Sequence, residues 1–140
     1  MTVEEFRESN LQLRRRSTGA VDYKVKLLRQ IKDAGLPDPQ PEFRFHPRRK
    51  FRADWKIGKT VLIEFEGGIF SRQPSHSSIK GILRDIEKGN EAVCLGYRII
   101  RVTPATIKNG VALRYVKIAL ECERTANMRS DSKEHATWQR

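Results

Sequence analysis

The sequence predicts an α/β domain in which a mixed four-stranded sheet is flanked by helices, in the order α-βββ-α-β-α. Three segments in the first half of the chain alternate apolar and polar side chains with the period of two that is typical of half-buried strands. Apolar side chains on either side of these segments recur at the spacing of an amphipathic helix. A helix that joins the third and fourth strands favours a mixed sheet with helices on its faces.

The chain is long enough for one folded domain. Its 140 residues, of which 38% are hydrophobic, suffice for a single core, and two full domains would be hard to fit. Residues 1–19 are predicted to form an N-terminal arm or a short helix, and residues 20–123 the folded domain. Residues 124–140 are polar and lack periodicity, so they are predicted to form a flexible C-terminal tail.

The first helix and the three strands follow in order. The helix is predicted from an apolar repeat that begins at Val21 and ends at Gly35, followed by the extended, proline-rich residues 37–41. The strands are predicted over residues 42–46, 51–57 and 60–66. Gly58 lies in the short connection between the second and third strands, which suggests a hairpin.

The second half of the domain is predicted to be mainly helical. Ser77 and Ser78 are a plausible N-cap for a helix that closes at Gly96. One apolar stripe defines this helix: Ile79, Ile82, Leu83, Ile86 and Val93. A buried strand is predicted over residues 97–102 and a final amphipathic helix over residues 106–123.

The charge balance indicates an anionic partner. The chain has 28 Lys and Arg against 17 Asp and Glu, a formal net charge of +11. A nucleic acid is the natural partner of such a protein, because each phosphate that is neutralised releases counterions. No apolar run approaches the roughly 20 residues that a membrane span needs, and no apolar stretch of signal-peptide type begins the chain. We therefore expect a soluble, cytoplasmic protein that does not bind membranes. The two cysteines, which lack metal-ligand spacing, are expected to be buried free thiols.

Three acidic residues are predicted to meet at one position of the sheet. Glu64 and Glu66 point to the same face of the third strand, and a hairpin turn near Gly58 sets Asp54 opposite Glu64 or close to it. Like charges packed together are costly unless a cation lies among them, and carboxylate oxygens suit Mg²⁺, for which Mn²⁺ can substitute. Alternating acids on a strand are most often a solvated face, and two observations favour a metal site here: the hairpin pairing to Asp54 and the Gly67-Gly68 that directly follows Glu66.

Basic side chains are predicted to surround this position. Their functional interpretation is contact with DNA phosphates, and the alternative is a solvated surface. The candidates are Arg44, Arg48, Arg49, Lys50 and Arg52 near the first turn, and Lys80 and Arg84 on the second helix. Trp55 has the apolar parity of its strand and is predicted to lie in the core.

The acidic residues also carry a resemblance. Asp54, nine intervening residues and Glu64-Phe65-Glu66 are similar to the motif of the PD-(D/E)XK superfamily of restriction-endonuclease-like nucleases. Further blocks resemble small phage and prophage endonucleases with an E-x-E-G-G motif: FRFHPRRKFRAD at 43–54, VLIEFEGG at 61–68, DIEKGN at 85–90 and GYRIIR at 96–101. The likeness covers roughly residues 22–120 and has the element order given above.

The resemblance implies a restriction-endonuclease-like fold and a Mg²⁺-dependent DNA endonuclease. Asp54 and Glu64 would be metal ligands. Glu66 stands where the superfamily usually has a lysine, so it could bind the metal or act as the base, and Lys88 could supply the missing positive charge. Glu42 would add a carboxylate. The loop before His76 is one residue longer than the pattern, which leaves a catalytic role for His76 open beside that of a surface histidine.

The alternatives differ in chemistry. A DNA-binding accessory protein with a degenerate nuclease fold would keep the fold without catalysis, and a basic RNA-binding protein would lack the metal site. The resemblance leaves open a homodimer, a branched or otherwise structured DNA substrate, and, for a phage-encoded protein, the cytoplasm of a bacterial host. The sequence identifies no dimer face and no base-specific recognition element.

Overall fold

Four strands form one mixed sheet in the computed structural model, which describes residues 22–67 and 79–136. The strands are β1 (Gln40–Arg44), β2 (Arg52–Ile57), β3 (Val61–Phe65) and β4 (Arg98–Val102), in the spatial order β1-β2-β3-β4. β1, β2 and β3 pair antiparallel, and β3 and β4 pair parallel. The predicted mixed four-stranded sheet is confirmed.

Four helices accompany the sheet within the described residues. They are α1 over residues 22–33, α2 (Ile79–Cys94), α3 (Pro104–Lys108) and α4 (Val111–Ala136). α1 is followed by a turn that closes at Gly35, the predicted stop residue, which has a φ of 67°. α2 makes the crossover that parallel pairing of β3 and β4 requires. None of the helices that the structure describes is long and apolar enough to cross a membrane.

The last helix differs from its prediction. A single helix over residues 106–123 was expected, but Gly110, with a φ of 80°, divides it into α3 and α4. α3 begins at a capping box formed by Thr103 and Thr106. α4 continues to Ala136. Its residues from 124 to 130 are all exposed and lack the apolar repeat from which a helix would be predicted. The domain limits at residues 20 and 123 remain predictions.

The main core lies between the sheet and the helices α1, α3 and α4. Trp55, Ile57, Val61 and Ile63 supply its sheet side, and Trp55 is buried as predicted. The helices contribute buried apolar residues: Leu27, Ile31, Ile107, Ala112, Val116 and Ala119. α1 therefore packs through Leu27 and Ile31, whereas Val25, a member of the predicted repeat, is 50% exposed.

A smaller core lies on the other face of the sheet, beneath α2. Phe45, Phe51, Ala53 and Leu62 form it with Ala92, which is the buried residue of α2. The predicted apolar stripe of α2 does not take part, because its five members are 49–78% exposed. The expectation of buried cysteines is also wrong: Cys94 and Cys122 are free thiols, and both are exposed on helix surfaces.

The buried carboxylate of Glu123 fastens the β2–β3 turn to α4. It accepts hydrogen bonds from the backbone N–H groups of Lys59 and Thr60 and from the Thr60 hydroxyl. Gly58, with a φ of 63°, lets the turn approach this closely, since a Cβ there would lie 2.5 Å from the Glu123 carboxylate. Burial alone would raise the pKa of Glu123, but these hydrogen bonds outweigh burial and hold the pKa below its ordinary value.

Replacing Glu123 with Gln should lower the free energy of unfolding by about 1–3 kcal/mol at neutral pH, because an amide cannot accept all three hydrogen bonds. A carboxyl whose pKa is lowered by folding stabilises the protein above its unfolded pKa and loses that contribution as the pH falls through the folded value. The difference between wild type and variant should therefore shrink on acidification below about pH 4. Urea unfolding of both proteins at neutral pH and below about pH 4 measures this difference in the free energy of unfolding. The control is Glu121→Gln, since Glu121 is exposed, and an equal loss in both variants would contradict the role of Glu123.

Candidate active site

Asp54 lies where β2 and β3 stop pairing. The last paired residues are Trp55 and Ile63, so the same register would place Asp54 opposite Glu64. Instead, the Asp54 carboxylate accepts a hydrogen bond from the backbone N–H of Phe65, with 2.7 Å between Oδ2 and the nitrogen. The side chain thus replaces a backbone acceptor at the point where the strands part, which fixes its orientation. The predicted hairpin is confirmed.

The second oxygen of Asp54 contacts a lysine that the sequence analysis missed. Lys24 of α1 places its Nζ 3.4 Å from Asp54 Oδ1. The same ammonium lies 5.5 Å from the ring centres of both Trp55 and Phe65. An aromatic face attracts a cation at this range. Nothing in the spacing of α1 distinguishes Lys24 from its other surface lysines, so only the fold identifies it.

Glu64 pairs with Lys88, which reaches it from α2. The two side chains are largely buried, with 17% and 22% of their surfaces exposed. Burial raises the pKa of Glu64 above its ordinary value, the hydrogen bond and charge of Lys88 oppose this rise, and the negative charges of Asp54 and Glu66 add to it. Glu64 therefore lies close enough to both Asp54 and Glu66 to be repelled by their charges.

Glu66 lies beyond the end of β3 and faces a different cation. Its carboxylate is 3.3 Å from Arg101 of β4, and its backbone N–H donates to the carbonyl of Val102 at 2.8 Å. A narrow cavity of about 30 Å³ is lined by Glu64, Glu66, Asp85 and Lys88. Glu66 thus lies next to the Asp54–Glu64 pair but on the side toward β4.

A cleft of about 250 Å³ opens between the first three strands and α2. Its charged lining consists of Glu42, Lys50, Arg52, Asp54, Glu64, Arg84, Asp85 and Lys88. Asp85, to which sequence reasoning gave no role, and Glu42, which it proposed as an extra carboxylate, both lie here. Glu42 has a φ of 50° in the left-handed region. That conformation costs a non-glycine residue roughly 1–2 kcal/mol.

The donor atoms fit a hard divalent cation held by two carboxylates. Among the residues that the structure describes, no three Asp, Glu, His or Cys side chains form a group that could hold a metal by themselves. Mg²⁺ does not require such a group, because it keeps several waters and is usually bound by one or two carboxylates together with substrate phosphates. Asp54 and Glu64 line the same cleft and repel each other, so they supply such a pair.

The basic residues divide into paired and unpaired groups. Arg49 binds Glu87 of α2 with both guanidinium nitrogens, at 2.7 and 3.0 Å, and this contact is the largest cause of the lowered pKa of Glu87. Arg52 lies 3.5 Å from Glu42. Lys50 and Arg84 face the cleft and form no ion pair with any described residue. Among the other candidates, Arg44 donates to the carbonyl of Arg49, and Arg48 and Lys80 are exposed.

His46, which belongs to the predicted basic cluster at the β1–β2 turn, connects that turn to α2. Its Nδ1 accepts hydrogen bonds from the backbone N–H groups of Arg48 and Arg49, at 3.1 and 2.8 Å. Its Nε2 lies 3.2 Å from the carboxylate of Glu91 on α2. Together with the Arg49–Glu87 pair, this contact holds α2 against one wall of the cleft.

Some predicted features lie outside the described residues. His76, Gly68 and the proposed cap at Ser77 and Ser78 belong to residues 68–78, and the predicted N-terminal arm belongs to residues 1–21. The candidate site is therefore defined by residues of α1, α2 and the four strands.

Comparison with known proteins relates this fold to that of a nuclease. The chain is similar to a solved structure described as the catalytic domain of the homing endonuclease I-Bth0305I, with a TM-score of 0.50. The similarity covers 68% of this chain and 90% of that domain, at 16% sequence identity. The likeness is one of fold. No protein-family model and no curated protein matches the chain.

Proposed function

We propose that the chain is a divalent-metal-dependent DNA endonuclease that hydrolyses phosphodiester bonds in the cleft between the first three strands and α2. The observation that carries the proposal is the placement of Asp54 and Glu64, which repel each other, beside Lys88 in one cleft. The similarity of the fold to a homing endonuclease catalytic domain supports it. The formal charge of +11 suits a DNA partner.

Asp54 and Glu64 would hold Mg²⁺, or Mn²⁺ in its place. When bound, such an ion supplies Lewis-acid polarisation of the phosphate and lowers the pKa of a bound water. The residues of the chain prepare this site: the Phe65 N–H orients Asp54, and the partly buried Lys88 holds Glu64 in the cleft. Both carboxylates are thus held in place before substrate arrives, which reduces the reorganisation that binding requires.

Lys88 is the proposed replacement for the motif lysine. It enters the cleft that Asp54 and Glu64 line, whereas Glu66, at the motif position, pairs with Arg101 on the side of β4. A lysine that exchanges its carboxylate partner for a phosphate oxygen would neutralise charge that develops during hydrolysis. Glu66 would then accept a proton from the attacking water.

One observation favours a second function. Asp54, Glu64 and Glu66 each pair with a basic side chain, as they would in a DNA-binding protein that has lost catalysis. Such a protein would keep the basic surface of the cleft and bind DNA without cutting it. Dependence of strand cleavage on a divalent metal separates the two functions.

Cleavage assays on supercoiled plasmid and on a synthetic four-way junction test the proposal directly. We expect wild-type protein to cut in Mg²⁺ or Mn²⁺ and to be inactive in EDTA. Glu64→Ala should lower the rate at least about 100-fold, because it removes a ligand on which the chemistry depends. A preference for the junction would indicate a branched substrate.

The matched control is Glu121→Gln on α4, which changes an exposed glutamate remote from the cleft and should leave the rate unchanged. Circular dichroism verifies that each variant is folded. If folded wild type binds both DNAs but cuts neither with either metal, catalysis is excluded and the DNA-binding function replaces it.

The two unpaired basic residues of the cleft should contribute most to DNA affinity. Replacing Lys50 or Arg84 with Gln should weaken binding of a duplex and reduce the slope of log Kd against log salt by about one. Arg49→Gln should change the affinity and the salt slope less, because Arg49 is already bound to Glu87. Fluorescence anisotropy at several salt concentrations in EDTA measures the slopes. Equal effects of all three substitutions would contradict a DNA path through the cleft.

A further inference from the structure

α2 has an apolar face that nothing in the described structure covers. Its stripe consists of Ile79, Ile82, Leu83 and Ile86, which are 78%, 49%, 59% and 54% exposed, and Val93 extends the same face at 64%. We call the first four residues the α2 stripe. They lie within roughly a third of the helix circumference. A contiguous exposed surface of this kind on a small domain marks an interaction site.

The orientation of α2 is the reverse of that expected for an amphipathic helix on a sheet. Asp85, Lys88 and Ala92, on the other side of α2, face the cleft and the smaller core. The helix is held by Ala92 in the smaller core and by polar contacts from Arg49 and His46, and the α2 stripe takes no part. The fold therefore leaves the α2 stripe available without exposing the core.

The stripe is symmetric in sequence. Ile79, Ile82, Leu83 and Ile86 have spacings of three, one and three, which are unchanged when the order is reversed. An antiparallel copy of α2 would therefore pair Ile79 with Ile86 and Ile82 with Leu83, so that apolar side chains meet along the whole contact. A two-fold interface requires this self-complementarity, since the same patch serves both subunits.

The charges beside the stripe are also self-complementary. Lys80 and Glu87 lie on the same edge of the helix, one near each end of the stripe. In an antiparallel pair, Lys80 of each copy would lie near Glu87 of the other. Glu87 holds Arg49 within its own chain, but its side chain stays 46% exposed. A parallel pair would instead place Lys80 and Glu87 of the two copies on opposite edges of the contact.

We propose that the α2 stripe is a two-fold interface between two copies of this chain, packed through antiparallel α2 helices. Asp85 and Lys88 lie away from the stripe, so both clefts would remain open. The interface does not rest on the proposed nuclease function, because its residues form no part of the cleft.

Sedimentation equilibrium of the full chain tests the proposal. Wild type should sediment at about twice its monomer mass of 16.2 kDa at micromolar concentrations. Leu83→Glu and the milder Ile82→Gln should raise the dimer Kd at least about tenfold while the thermal melting of the monomer is retained. The control is Ile118→Glu on α4, where an isoleucine with a comparable exposure of 52% should leave the dimer intact.

A cross-linking experiment tests the direction of packing. In a background with Cys94→Ser and Cys122→Ser, a mixture of Ile79→Cys and Ile86→Cys copies should form a disulfide between the two different variants upon oxidation. Links only between identical copies would overturn the antiparallel arrangement. A monomeric wild type would overturn the interface altogether, and destabilisation of that monomer by Leu83→Glu would mean that another part of the same chain covers the stripe.

Discussion

The repulsion between carboxylates where β2 and β3 part is the constraint on which the site depends. The hairpin ends beside Asp54 and Glu64, and burial together with the nearby charge of Asp54 disfavours the negative charge of Glu64. Two lysines offset this repulsion: Lys24 of α1 pairs with Asp54, and Lys88 of α2 pairs with Glu64. A divalent cation shared by both carboxylates would offset the same repulsion, so the pair suits a metal ion.

The rest of the fold holds in place the two walls of the cleft, which are the first three strands and α2. Glu123 fixes the β2–β3 turn to α4, so the strands that carry both acids are anchored at the end remote from the cleft. His46 and Arg49 fix the β1–β2 turn to α2, which holds Lys88 against Glu64. The larger core packs between the sheet and the helices α1, α3 and α4. Substitutions of Glu64 or Lys88 need not disturb that core, whereas Phe51 and Ala53 belong to both the cleft lining and the smaller core.

The strands and helices that have a clear local periodicity could be predicted from the sequence. Alternation in the strands and a glycine in the turn were enough to predict the β2–β3 hairpin, whose pairing ends beside Asp54 and Glu64. Contacts between distant elements escaped prediction, because no spacing in α1 indicates that Lys24 reaches Asp54. The apolar pattern of α2 predicted a helix but not which face would be buried, since polar contacts of Arg49 orient it. The end of α4 was missed because an exposed helix needs no apolar repeat.

The proposed site requires Asp54 and Glu64 to bind one divalent cation together. Anomalous diffraction from crystals soaked in Mn²⁺ would locate such an ion without any assay of activity. We expect one anomalous peak in the cleft between the two carboxylates, with Lys88 withdrawn from Glu64, and no peak there in Asp54→Asn crystals. Manganese found only elsewhere on the molecule, with the Lys24–Asp54 and Lys88–Glu64 pairs intact, would contradict it.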